Sequence, residues 1–184
     1  MKNIRPAVRA GTFYEAGSDS CRRHARQLID QAGLPSDLPA ALHGGLVPHA
    51  GWAFSGPLAA KTFKALAAAG PPDTIVLFGA DHYGTARQGE VYDAGAWQTP
   101  LGEALVDTDL AERLLAECPD LRANPSAHSQ EHSLEVQIPL VQTACPDARI
   151  LPIAAPPQPV AVEIGAAVGR VLAQLDRVVH VVGS

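Results

Sequence analysis

The chain has 184 residues, of which 47% are hydrophobic and 18% are charged, so it can bury a core and is too apolar for a disordered chain. Its formal net charge is -5 and its basic residues are scattered, which excludes a nucleic-acid or anionic-membrane partner. There is no signal-peptide segment and no run of roughly 18 apolar residues, as a membrane helix needs. We expect one cytoplasmic domain, residues 1–184, that binds a small molecule or a peptide.

The first half of the chain alternates helices with short apolar runs. An extended N-terminal segment precedes the helical pattern SDSCRRHARQLIDQAG, which Gly33 can end. A short strand then ends near His49. The alanine-rich run GPLAAKTFKALAAAG predicts a second helix, with Gly70 as its stop, and residues 74–78 form a continuous apolar strand.

The second half repeats this plan. Short strands are predicted around the turn at residues 99–102, as an antiparallel addition at an edge of the sheet. The pattern then predicts a helix in TDLAERLLAEC, a helix in SQEHSLEVQIPLVQTAC that bends near Pro139, a strand in ARILPIAA, a helix in PVAVEIGAAVGRVLAQL and a strand in RVVHVVGS. Continuous apolar strands between helices indicate an α/β fold with a mostly parallel central sheet and helices on both faces.

Three cysteines, Cys21, Cys118 and Cys145, lie far apart in the sequence. Their odd number and the lack of a CxxC pair argue against a disulfide framework and against a zinc knuckle. We expect them to be small buried or helix-surface thiols.

Two histidines follow predicted strands directly. His49 lies in LVPHAG and His82 in FGADHYG. If the two strands are neighbours, both imidazoles project over one edge of the sheet, within reach of one metal ion. The alternative is that each histidine is only a hydrogen-bonding partner in a turn.

The segment AHSQEHSLEVQ carries a second cluster of titratable side chains. If a helix begins near Ser129, His132 lies in its first turn and could act as a proton donor or acceptor. Glu131 could instead simply favour the helix dipole, with Ser129 as the cap. His180 alternates with valines and is expected in the core, and no role is assigned to His24 or His43.

Aromatic side chains are few, at 5% of the chain, and several flank glycine-rich turns near the predicted histidine site. These are Phe13, Tyr14, Trp52 and Phe54. They could wall a pocket, or they could pack the N-terminal segment across the edge of the sheet.

The chain resembles the Memo-like family, called AmmeMemoRadiSam system protein B in bacteria and archaea. The resemblance rests on five motifs in order: VRAGTFYEAG, GLVPHAGWAFSG, VLFGADHYG, WQTPLGE and AHSQEHSLEVQIPL. They cover nearly the whole chain. The resemblance implies a fold similar to the class III extradiol dioxygenases, in which two histidines and a carboxylate bind a mononuclear non-haem iron(II).

By motif, the resemblance assigns a role to six residues: His49 and His82 as metal ligands, Phe13 and Trp52 as pocket aromatics, and Glu131 and His132 as members of the EHSLE helix. Asp81 departs from the family pattern, which has serine or asparagine before the second histidine, and its carboxylate could hydrogen-bond to His82 and orient it. The resemblance implies iron(II) or copper as the cofactor and no nucleotide. His132 is the candidate acid or base.

The resemblance also implies that relatives continue after VVGS, with a segment like SDLTHYG and later a cysteine that replaces the carboxylate ligand. We therefore expect this chain to lack the family's C-terminal third and to expose sheet surface that favours self-association. Two functions follow. The chain is a metal-dependent oxidoreductase acting on a small aromatic or phenolic ligand, or it is a non-catalytic protein- or peptide-binding module with a vestigial pocket.

Overall fold

A six-stranded sheet forms the centre of the computed structural model, which describes residues 3–83 and 86–184. The strands are β1 (Ile4–Arg5), β2 (Gly44–Leu46), β3 (Thr74–Ala80), β4 (Gly89–Val91), β5 (Ala96–Thr99), β6 (Gly102–Leu105), β7 (Leu121–Ala123), β8 (Arg149–Ala155) and β9 (Val179–Gly183). The helices are α1 (Ser18–Gln31), α2 (Trp52–Ala69), α3 (Thr108–Glu117), α4 (Ile138–Ala144) and α5 (Val160–Leu172). The order in the central sheet is β2-β9-β3-β8-β4-β7.

Four neighbouring strands of this sheet, β2, β9, β3 and β8, are parallel, whereas β4 runs antiparallel to β8. Ile75, Val76 and Leu77 of β3 are all fully buried, although successive strand residues point to opposite faces. Both faces of the sheet are therefore covered, as the continuous apolar run predicts.

The helices lie in two groups. Helices α1, α2 and α4 pack on one another, and α3 packs on α5. A Cβ atom on Gly79 of β3 would overlap Ser133 and Leu134, just before α4, whereas the adjacent Phe78 lines a cavity with Gly165 of α5. The two groups thus cover opposite faces, and the α/β prediction is confirmed. None of the described helices is long and apolar enough to cross a membrane.

The antiparallel hairpin at the predicted turn exists, but it is not an edge of the central sheet. Strands β5 and β6 pair antiparallel, and β1 adds to β5 in parallel, which makes a separate three-stranded sheet. A bridge between Val106 and Ile150 joins it to β8. The predicted edge position is wrong for this hairpin, which pairs with β1 instead, whereas β4 at the start of the same predicted segment does pair antiparallel with β8 of the central sheet.

Two predicted helix boundaries are also corrected. Helix α2 begins at Trp52 and contains Pro57, whereas the sequence pattern begins the helix at Gly56. Residues 129–134 are not helical, a 3₁₀ turn covers Glu135–Gln137, and α4 begins only at Ile138. Pro139 lies in the first turn of α4, where its missing N–H costs nothing, so it starts this helix instead of bending it.

The three cysteines are free and buried, as expected. His180 is also buried, and its Nε2 lies 3.3 Å from the carbonyl oxygen of Gly70, which places it in the core as predicted. His43 is exposed in the loop before β2.

The free energy of unfolding is expected to decrease when the pH falls below the ordinary pKa of histidine, because His128 is buried in its neutral form. Burial lowers the pKa of this ring from 6.5 to about 4. Between these values the unfolded chain binds a proton that the folded chain does not, so acid favours unfolding. Urea unfolding measured at neutral pH and at about pH 5 should show a smaller decrease in the free energy of unfolding for His128→Gln than for wild type. Equal losses, or a ring pKa near 6.5 by NMR titration, would contradict this.

Candidate metal centre

His49 and His82 meet at the carboxyl edge of the central sheet. His49 follows β2 and His82 follows β3, and their ring centroids are 5.1 Å apart. The two strands are not neighbours, because β9 lies between them. The rings still meet, since all three strands are parallel and their ends share one edge.

His132 joins this pair from the irregular segment before α4. Its ring centroid is 4.4 Å from that of His82 and 5.6 Å from that of His49. One ring nitrogen from each of the three histidines lies within 4.8 Å of the corresponding nitrogens of the other two. We call these three residues the histidine cluster.

The carboxylate of Glu131 contacts two members of the cluster, His82 and His132, and its side chain is only 1% exposed. Its Oε1 accepts hydrogen bonds from the backbone N–H groups of His132, at 2.8 Å, and Ser133, at 2.7 Å. Nδ1 of His82 lies 3.1 Å from both carboxylate oxygens. The carboxylate therefore fixes the His82 ring with Nδ1 as the donor and leaves Nε2 free for a ligand. Because residues 129–134 are not helical, Glu131 does not stabilise a helix dipole, which was the alternative.

Nδ1 of His49 also has a polar partner, the hydroxyl of Ser184 at 3.3 Å. That hydroxyl accepts a hydrogen bond from Nε2 of Gln137 at 3.0 Å and donates to the carbonyl oxygen of Ser133 at 3.1 Å. Its proton is thus used, so His49 Nδ1 is the donor and Nε2 is the free nitrogen.

Nδ1 of His132 lies 3.6 Å from Oε1 of Glu131, which is within ion-pair distance but longer than a hydrogen bond. In all three rings Nδ1 therefore faces an oxygen. In metal-binding histidines, a hydrogen bond from one ring nitrogen to an oxygen orients the ring and leaves the other nitrogen to bind the metal.

The protonation states suit metal binding. Burial lowers the pKa of His49 and of His132, and the neighbouring histidines lower both further. Burial alone would raise the pKa of Glu131, but hydrogen bonds from Ser133 and His82 outweigh it and hold that pKa below its usual range. At neutral pH the His49 and His132 rings are neutral and Glu131 is ionised, the forms in which imidazole binds metals and a carboxylate orients it.

The cluster fits a divalent transition metal. Metal–nitrogen distances of about 2.0–2.1 Å place nitrogens on one ion no more than about 4.2 Å apart, so small movements from the observed 4.8 Å limit bring all three together. Imidazole nitrogen suits zinc, copper, iron and nickel. Three protein ligands leave positions open for another molecule.

The other predicted site residues lie around the cluster to different degrees. Phe13 packs on His132, with ring centroids 5.3 Å apart. Trp52 is buried and donates from Nε1 to the carbonyl oxygen of Val136, so it supports the segment before α4 from the core. Asp81 accepts from the backbone of Tyr83 and Ala86, rather than from His82. Phe54 is 87% exposed and Tyr14 is buried against Glu135.

A buried ion pair that the sequence pattern does not reveal anchors the segment carrying Glu131 and His132. Arg5 donates from Nη1 to Oε2 of Glu135 at 2.7 Å, from Nε to the carbonyl oxygen of His128 and from Nη2 to that of Glu131, both at 2.6 Å. Glu135 also accepts from Tyr14 and from two backbone amides. The only sequence signal is an isolated arginine in an extended segment, which normally indicates an exposed side chain.

Comparison with known proteins identifies a family that the chain matches over most of its length. A profile of the family described as Memo-like protein matches residues 5–184. The chain is 37% identical over 195 residues to a MEMO1 family protein of Pyrobaculum aerophilum, covering 100% of the chain and 68% of that protein. It is 38% identical to one from Methanopyrus kandleri, covering 97% and 66%, and 41% identical to one from Thermococcus onnurineus, covering 97% and 62%.

The family match extends across all three members of the histidine cluster and the Glu131 carboxylate that orients it. It also includes Arg5, Glu135 and the N-terminal segment that they hold in place. On the profile match over residues 5–184 and these relatives, the chain belongs to the Memo-like protein family.

Proposed function

We propose that the chain binds one iron(II) or copper ion through His49, His82 and His132 and acts as a metal-dependent oxidoreductase on a small aromatic or phenolic ligand. One observation carries this proposal: the three imidazoles offer ligand atoms within 4.8 Å of one another. The orientation of His82 by Glu131 and of His49 by Ser184 supports it, because both leave Nε2 free.

The class of reaction rests on the likeness to the class III extradiol dioxygenases, and a fold does not by itself carry an activity. When bound, the ion would supply Lewis acidity and one-electron chemistry to its ligand. The protein's part is to hold neutral imidazoles at the sheet edge and to place Phe13 beside them as an apolar wall. Its buried Glu131 keeps His82 in one tautomer.

His132 has two roles open to it, ligand and proton carrier. Its ligand atom is close enough to those of His49 and His82 to complete the metal site, so we assign it as the third ligand in this chain. If it is instead the acid or base, its replacement will leave metal affinity intact and change the pH dependence of turnover.

Replacing His49 or His82 with alanine is expected to weaken metal binding by more than about tenfold, because each change removes one of three ligands. Anaerobic calorimetric titration of the 184-residue chain with iron(II) and with copper, together with elemental analysis, measures this. His43→Ala is the matched control, since His43 is exposed and outside the cluster, and its affinity should stay within about twofold of wild type.

Unchanged affinity in both His49→Ala and His82→Ala would reject the metal site. Stoichiometric metal without oxidation of any phenolic or aromatic compound would instead favour a non-catalytic binding module. Each result is obtained from the same purified chain, so the two parts of the proposal are tested separately.

A further inference from the structure

Arg9 is a positive charge at the rim of the histidine cluster, and among residues 3–83 and 86–184 no carboxylate pairs with it. Within the described residues, its guanidinium makes no ion pair and its Nη1 makes no hydrogen bond, whereas the buried Arg5 faces Glu135. Its Nη2 donates to the carbonyl oxygen of Gln130 at 3.2 Å and lies 3.5 Å from the hydroxyl of Tyr83. The guanidinium is thus held in place while one of its nitrogens remains available to an acceptor.

The backbone of Arg9 is anchored as firmly as its side chain. Its N–H donates to Oε1 of the buried Glu135 at 2.8 Å. The Cζ atom lies 5.9 Å from the centre of the Phe13 ring, which in turn packs on His132 at 5.3 Å. Tyr83 directly follows His82, so Arg9 is bound to the same loops that carry the cluster.

The charges around the cluster favour an anion. Glu131 is committed to His82 and to backbone amides, and Asp81 to the backbone of the loop that follows. Arg9 and a divalent ion are then positive charges without a free counter-ion, although the protein as a whole carries -5. A negative group on a ligand meets attraction here that a neutral group does not.

We propose that the ligand of the histidine cluster carries a carboxylate, which the free Nη1 edge of Arg9 binds while the apolar part of the ligand lies against Phe13 and its other end faces the histidines. This assignment rests on the proposed function, because it places the ligand at the same site. A guanidinium binds a carboxylate with short, charge-assisted hydrogen bonds. Its single positive charge matches a monocarboxylate.

The test uses benzoate and its neutral analogue benzamide, which have nearly the same shape. In calorimetric titrations of the metal-free chain, benzoate should bind at least about tenfold more tightly than benzamide. Arg9→Gln should weaken benzoate binding by at least about tenfold and leave metal affinity within about twofold. Arg23→Gln on the exposed face of α1 is the matched control, since it removes the same charge away from the site.

Three results would overturn the assignment: equal affinity of benzoate and benzamide, unchanged benzoate binding in Arg9→Gln, or benzoate binding that requires metal and persists in Arg9→Gln. The last would mean that the carboxylate binds the ion directly. If Arg9→Gln does not fold, Arg9→Lys keeps the charge and should retain benzoate binding above that of benzamide. Failure of metal binding alone would reject the metal site but leave the Arg9-dependent titration of the metal-free chain intact.

Discussion

Glu131→Gln is expected to weaken metal binding by about ten- to hundredfold, although Glu131 is not itself a ligand. The carboxylate oxygens of Glu131 face donors: the backbone N–H groups of His82, His132 and Ser133, and the Nδ1–H of the His82 ring. A glutamine of the same size turns one acceptor into an NH₂ group that opposes a donor. The His82 ring then loses the contact that sets its tautomer.

Anaerobic titration with iron(II) measures the affinity, and the ¹⁵N chemical shifts of His82 in the metal-free chain report its tautomer directly. Glu117→Gln is the control, because it removes the same charge from an exposed ion pair with Arg113, away from the histidine cluster. Wild-type affinity together with an unchanged His82 tautomer in Glu131→Gln would show that Glu131 does not position the ligand. Loss of stability alone would not move the tautomer signal.

Arg5→Met is expected to lower the free energy of unfolding by about 3–5 kcal/mol, because it leaves Glu135 as an unpaired charge in the interior. The side chains of Arg5 and Glu135 are 2% and 1% exposed. The same substitution removes four hydrogen bonds and the stacking of the guanidinium on Trp97, whose ring centre is 4.0 Å from Cζ. Urea unfolding monitored by circular dichroism gives the value.

The matched control is Arg113→Met, which breaks the exposed pair with Glu117 and should cost less than about 1 kcal/mol. The double variant Arg5→Met/Glu135→Leu should recover part of the loss, since it also removes the charge of Glu135 that Arg5→Met leaves unpaired. Equal losses in Arg5→Met and Arg113→Met would show that the buried pair contributes no more than a surface pair. Arg5→Lys, which keeps the charge but not the planar fork, should lie between them.

The central strands were predictable because their signal is local. Residues 74–78, the run ARILPIAA and the run RVVHVVGS are largely apolar. Strands β3 and β8 are buried on both faces, whereas β9 is buried on one face and half-buried on the other. The order of these strands was not predictable, because no local pattern says that β9 enters between β2 and β3.

The segment before α4 shows why a helical pattern can fail. Its apolar spacing is compatible with a helix from Ser129, yet Glu131 accepts the amides of His132 and Ser133, and Arg5 binds the carbonyl of Glu131. These contacts give the backbone partners outside a helix, and tertiary contacts commonly override local propensity. Pro139 was the available clue, as a start signal for α4.

The candidate site could be predicted only in part, because only some of its residues carry a local sequence signal. His49 and His82 follow apolar strands, a position that points to a sheet-edge site. Arg5 and Arg9 give no such signal, because their partners Glu135 and Gln130 lie more than a hundred residues further along the chain. Only the folded chain shows one arginine neutralised in the core and the other left charged at the rim.

The position of β9 also bears on the order of folding. Among the described strands, β2 pairs only with β9, so no strand holds it in the sheet until residues 179–183 have been synthesised. Closing so long a loop is a slow, non-local step, and the open edges of β2 and β3 are exposed until it is complete. We therefore expect His49 and His82 to come together only after β9 has joined the sheet.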